Sequence, residues 1–261
     1  MRAATGFAVL TARNLFSGKR AWAALLLAAL PPVVAATVAG LGGEKADGTL
    51  LFQGIAFFYS LRIMLYLMAL IFGIALTSGE IEDGTVGYIY LGSLPKWAIA
   101  LIQSLVAAAA LTALAGLSLL LTAAAAGMAA LHPLEAAGAT AAKATLVAGV
   151  GILVSLTFYT ACGLAFKRPL IVGIVATFFW EIVLTALPIR MAAYTVTNNL
   201  RALMLPLLFD GDRGRWYRYV RNYDFPAYGE AALFLSVLTG LFLVAAMVAA
   251  MNRSVEGKEA N

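Results

Sequence analysis

The stretch Leu50 to Thr77, LLFQGIAFFYSLRIMLYLMALIFGIALT, decides the fold. It carries a single charged side chain, Arg62. The hydrocarbon core of a bilayer accepts about 20 consecutive apolar residues per helix, each rising about 1.5 Å. This run exceeds that length, so as a membrane helix it must tilt or protrude. Its apolar residues are continuous rather than alternating, which argues against a spanning β-barrel.

Working outward, similar runs recur at roughly Ala21–Leu41, Trp97–Gly127, Ala141–Phe166, Pro169–Ile189 and Ala231–Met251. The expected fold is all-α: a polytopic membrane protein with six transmembrane helices, forming one transmembrane domain over residues 1–261. The composition agrees, with 62% hydrophobic residues, 12% charged residues and a mean hydropathy of +0.90. Soluble domains run nearer half apolar. Pro31 and Pro32 interrupt the first run and are expected to kink it, because proline removes backbone donors. That run is too long for the apolar segment of a cleavable signal. Cys162 is the only cysteine, so neither a disulfide framework nor a thiolate metal site is available. The net charge of +5 is scattered among loops. That pattern suits anionic lipid, not nucleic acid.

Directly after the long run comes Gly79 to Pro95, GEIEDGTVGYIYLGSLP. Three carboxylates, Glu80, Glu82 and Asp83, stand where a membrane-hugging loop would by default be basic. Read as a helix, the acids occupy its first turn, where the helix dipole favours negative charge. Ile81, Thr85, Tyr88 and Ile89 then recur along one side. A solvated loop is the plainer reading of the same composition. Lysines and arginines set the orientation. Arg2, Arg13, Lys19 and Arg20 precede the first span, Lys96 follows the acidic stretch, and Lys167, Arg168, Arg253 and Lys258 fall on the same side. Lys45 and Lys143 lie opposite. Both termini and residues 79–95 are therefore expected in the cytoplasm. The segment 190–230 disagrees, since it carries six arginines and lands outside; it also holds four acids, and long segments can translocate despite charge.

Residues 1–20 read as an amphipathic interfacial helix. At 100° per residue, Arg2, Arg13 and Arg20 share an arc, while Phe7, Leu10 and Leu15 gather opposite and Val9 and Phe16 break the pattern. Such a helix serves as a topology determinant, a resting point for a cytoplasmic partner, or both.

Two charges fall inside spans, and each is costly there, roughly 2.5–3.5 kcal/mol on insertion scales. Arg62 has a stem long enough to snorkel. Glu181 does not, so it is expected to face the protein interior, paired with Arg62 or lining a polar path. His132 and the scrap Asp210-Gly211-Asp212 read as loop residues, the latter lacking the bidentate glutamate of a calcium loop. Arg213 to Arg221, RGRWYRYVR, reads as an interface anchor. The alanines and glycines of the third and fourth long runs permit close helix packing without naming a partner.

The order of these features resembles the type-2 family of ABC transporter permeases. A basic N-terminal helix precedes six spans, and an E-x-E-x-G-T element, here Glu80-Ile81-Glu82-Asp83-Gly84-Thr85, follows the second. Leu94-Pro95-Lys96-Trp97 marks entry to the third span in a shortened form of that family's pattern. The resemblance implies a coupling helix at Glu80, Ile81, Glu82, Asp83, Gly84, Thr85 and Tyr88. Through it the chain would dock a separate cytoplasmic ABC ATPase subunit, assisted by the interfacial helix. It further implies a second permease copy, export, the bacterial inner membrane, and short re-entrant helices near Tyr194–Phe209. The chain has no G-x-x-x-x-G-K-S/T phosphate loop. It is thus expected not to be an enzyme, with no cofactor or metal of its own and with ATP and magnesium on the partner. A secondary transporter, or a membrane anchor of a larger complex, are the alternative readings.

Overall fold

The structure, a computed structural model, describes residues 2–15, 18–42, 47–79, 95–129, 137–184, 193–208 and 225–252. The acidic element Glu80–Tyr88 lies outside the described residues, as do His132 and the segment 209–224. Among the described residues the chain is helical and has no strand.

Helix α1, Arg2–Leu15, precedes α2, Lys19–Leu41. The long run becomes α3, Gly48–Thr77, started by Asp47, whose side chain accepts from the Leu50 amide at 3.0 Å. It is followed by α4, Lys96–Ala126, and α5, Ala137–Ala165. Helix α6, Pro169–Thr177, opens on a proline whose missing N–H costs nothing at that position and continues as wide π-helical turns over Phe178–Val183. Helices α7, Val196–Leu208, and α8, Tyr228–Asn252, complete the set. Five of these helices, α2, α3, α4, α5 and α8, are long and apolar enough to cross a membrane. Of the expected run Pro169–Ile189, the described residues hold an apolar helix over Pro169–Glu181, and residues 185–189 lie outside the described residues.

Side-chain contacts sort the helix ends into two groups. At one end Ala100, Leu164, Ala246 and Ala250 form a cluster, and Arg20 Nη1 donates to the Ala75 carbonyl at 3.5 Å. At the other end Ala39 packs on Ala129, and Gly48 lies against Ala126. Helices α2 to α5 therefore alternate in direction, and α8 finishes at the end where α5 finishes.

Helix α5 is the hub. Within its most apolar stretch 67% of residues are buried, against 17% for α8, so α8 is peripheral. Close approach to α5 depends on small residues used reciprocally. A Cβ on Gly116 would meet Thr145 Cγ2 at 2.8 Å, and one on Gly149 would meet Thr112 Cγ2 at 2.8 Å. The same threonine–glycine spacing, read in opposite directions, locks α4 to α5. Gly151 of α5 similarly admits Leu65 and Leu200.

The double proline does not end α2, which runs helically through both rings. Pro31 and Pro32 cannot donate to the carbonyls four residues back, Leu27 and Ala28. Neighbouring spans supply the donors: Tyr59 Oη to the Leu27 carbonyl at 3.1 Å, and Ser118 Oγ to the Ala28 carbonyl at 2.5 Å. In lipid, such replacement is what makes internal prolines tolerable.

A rescue experiment tests this pairing. Ser118→Ala should lower stability by about 1–2 kcal/mol, since it leaves a buried carbonyl without a donor. Adding Pro32→Ala should recover most of that loss by restoring the backbone N–H. Thermal unfolding of the purified protein in nanodiscs reads both, and additive losses would exclude the assignment.

Candidate functional site

The one acidic side chain in the membrane-embedded part that the sequence singled out, Glu181, is buried at 6% exposure. It sits in the π-helical turns of α6, where the Leu184 amide reaches back five residues to the Phe179 carbonyl. Its carboxylate meets the start of α7. The Val196 amide donates to Oε1 at 2.9 Å and the Thr197 amide to Oε2 at 2.9 Å.

A helix start leaves its first amides without intrahelical acceptors. Here side chains take all of the leading ones. Beyond the two bonds to Glu181, the Asn198 amide donates to Thr195 Oγ1 at 3.3 Å. Asn199 Nδ2 ties back to the Ala193 and Thr195 carbonyls at 2.7 and 2.8 Å. The carboxylate also complements the positive end of the helix dipole. At the far end of α7, Gln53 Nε2 donates to the Leu208 carbonyl at 2.8 Å. Tyr66 and Thr197 share a hydroxyl–hydroxyl bond of 3.0 Å near the start. Because Gln53 lies near the beginning of α3 and Tyr66 well inside it, α7 runs along α3 from the bundle interior outward.

Arg62 does not pair with Glu181. Its side chain is exposed on α3, while the carboxylate turns inward to α7. The buried arginine is instead Arg201 of α7, at 5% exposure, with its guanidinium 5.0 Å from the Phe57 ring centre and 5.8 Å from that of Phe58. Such cation–π stacking compensates charge in an apolar setting. Sequence counting had placed Arg201 in an outer loop with five other arginines. The apolar run around it was the available signal.

A cavity of about 450 Å³ opens beside Glu181. Its walls come from α3, α5, α6, α7 and α8 and include Tyr66, Ser155, Phe158, Tyr159 and Phe242. The rings form a connected wall: Phe158 meets Tyr159 edge-on at 5.2 Å and Phe242 at 5.1 Å. Tyr159 Oη bonds Thr177 Oγ1.

No protein-family model matches this chain, and no curated protein matches it.

The N-terminal residues take up a different arrangement from the one expected. Thr11 and Leu15 are buried and Phe7 half-buried, so the stripe at every fourth residue faces the bundle, in part toward α4. Leu10 is exposed beside Val9, and Arg13 and Arg20 are exposed as well. Arg2 opens the helix, its side chain lying outside the described residues. Among the described residues there is no cluster of metal-ligating side chains.

Glu181→Ala should leave two buried amides of α7 without acceptors, at about 1–3 kcal/mol each. Glu181→Gln retains one acceptor oxygen and should lose less. Hydrogen exchange at the Val196 and Thr197 amides is the direct readout. Protection unchanged in both variants would show that the carboxylate does not hold this helix.

Proposed function

We propose that this chain is the membrane-spanning permease subunit of an ATP-driven exporter, of the type-2 ABC kind that its sequence resembles. The observation that carries the reading is the bond from Arg20 to the Ala75 carbonyl. It joins the end of the basic N-terminal region to the last turns of α3, immediately before the acidic element. Since α4 also starts at that end of the bundle, both flanks of residues 80–94 and the interfacial helix share one side. A soluble motor subunit pressing on that side would meet all of them together.

In this reading Glu80, Glu82 and Asp83 present negative charge to the ATPase, and Gly84, Thr85, Ile81 and Tyr88 shape the contact. ATP and magnesium are held by that partner. In this reading the side is the cytoplasmic face of a bacterial inner membrane, and the lysine and arginine distribution supports the cytoplasmic orientation. Helices α6 and α7 act as two halves of a sixth, broken crossing, which returns the chain from the Pro169 end to the Tyr228 end. Broken helices are tolerated at membrane depth where their free backbone groups find protein partners, as those of α7 do. A second copy of the permease completes the membrane assembly.

Co-expression with a soluble phosphate-loop ATPase, sought among the neighbouring reading frames, tests the coupling role. Reversing all three charges, Glu80→Lys, Glu82→Lys and Asp83→Lys, should abolish co-purification while leaving the permease inserted and helical. Retention of the complex after the triple reversal would overturn the assignment.

A further inference from the structure

We propose that the cavity between α6 and α8 is a seat for one acyl chain of a membrane phospholipid, taken in sideways from the bilayer. Helices α3, α5 and α8, which contribute to its wall, are all long and apolar enough to cross a membrane. Of the lining residues, Leu238, Leu241 and Phe242 fall at the middle of α8, Val154 near the middle of α5 and Tyr66 near that of α3. The cavity therefore lies at mid-depth, among the lipid tails and away from the headgroups. Its volume of about 450 Å³ is within the ~300–1,000 Å³ of ordinary small-molecule sites.

The chemistry of the wall selects an apolar guest. Most of the lining side chains are aliphatic or aromatic, and the polar ones bond to the protein itself. Glu181 accepts from the Val196 and Thr197 amides and is bonded to the Tyr66 hydroxyl as well. Tyr66 also pairs with Thr197, and Tyr159 with Thr177. Trp180 Nε1 donates to the Tyr194 carbonyl at 3.2 Å. Ser155 Oγ, which has no such bond, is itself a buried atom. A water molecule held in a cavity needs about two to four polar partners, so a space offering so few stays dry. An empty space, in turn, leaves its wall atoms without van der Waals partners on one side. An apolar occupant restores those contacts.

The route in is lateral. Helices α6 and α8 both pack on α5 yet scarcely touch each other, which leaves a gap along the flank of the bundle among the described residues. Phe179 and Trp180 of α6, 64% and 50% exposed, and Leu241 of α8, 62% exposed, stand at that gap. Behind them Phe158 meets Tyr159 and Phe242 at 5.2 and 5.1 Å, giving a chain flat ring surfaces to lie on. At this depth the medium outside the gap is hydrocarbon, so the apolar group that reaches the mouth is a lipid tail. Helices in a bilayer gain no hydrophobic drive to close on one another, and contact decides what lies between them. A chain seated here supplies the contact that α6 and α8 do not make directly. The seat needs neither an ATPase nor a second copy of the protein, so it stands or falls separately from the transporter reading.

Quenching of tryptophan fluorescence by brominated lipid provides the test. In the full-length protein Trp22, Trp97, Trp180 and Trp216 are each replaced by phenylalanine, and Phe158→Trp places a single reporter on the hub helix α5 at the back of the cavity. The protein is reconstituted in nanodiscs of phosphatidylcholine that is unbrominated, brominated at mid-chain, or brominated beside the headgroup. Mid-chain bromine should at least halve the emission, and bromine beside the headgroup should reduce it far less. Adding Ala176→Phe, which fills the cavity from α6, should restore most of the lost emission, with circular dichroism confirming the fold of each variant. Should Phe158→Trp fail to fold, Phe242→Trp reports on the same space from α8 in the same comparison. An unquenched reporter, which another part of this chain or a second copy in the cavity would give, overturns the proposal. So does quenching that persists with Ala176→Phe, which lipid outside the bundle would cause, or equal quenching from the two bromine positions.

Discussion

Every backbone N–H and C=O placed at membrane depth must find a partner inside the protein, because hydrocarbon offers none. Uninterrupted helices satisfy that requirement by themselves. Among the described residues, the double proline of α2 and the start of α7 depart from it, and at both the missing partners come from side chains, most of them on other helices. Tyr59 and Ser118 take the carbonyls that Pro31 and Pro32 leave open. Glu181 and Thr195 take the first amides of α7. The packing of the bundle is largely what brings those groups within reach.

The consequences run through the interior. Helix α5 occupies the centre because glycines on its faces let α3, α4 and α7 come close. That approach brings Tyr66 of α3 and Ser155 of α5 to the same wall as Glu181. A carboxylate that would be expensive in lipid instead acts as a helix cap beside a space lined by rings. Arg201, another buried charge among the described residues, has its guanidinium stacked over the Phe57 ring. The anticipated Arg62 to Glu181 pair plays no part, since Arg62 is exposed on α3.

How much of this was legible beforehand varied residue by residue. The long helices followed from runs of apolar side chains, since hydrophobicity averaged over a span depends on composition rather than on contacts. Glu181 stood out for a related reason: a short acidic side chain in an apolar run needs an interior partner. Its actual partners were hidden. Thr197 lies 16 residues away, and Tyr66 and Thr197 are 131 residues apart. Ser155 gave no signal at all, one hydroxyl among many in the long helices. The stripe of α1 that faces the protein, Phe7, Thr11 and Leu15, also differed from the apolar arc, because the bundle presents a narrow seat and leaves Val9 and Leu10 to the outer flank.

The sequence by itself determined that the chain is a helical membrane protein, where most of its spans lie, and which buried charge needed explaining. Those properties follow from transfer free energies that act on each segment independently. Tertiary structure alone decided that the prolines of α2 lean on two neighbouring spans, that Glu181 caps a helix rather than meeting Arg62, and that a cavity forms beside it. Such outcomes depend on which side chains reach the same few ångströms of space, and that is fixed only when the helices pack.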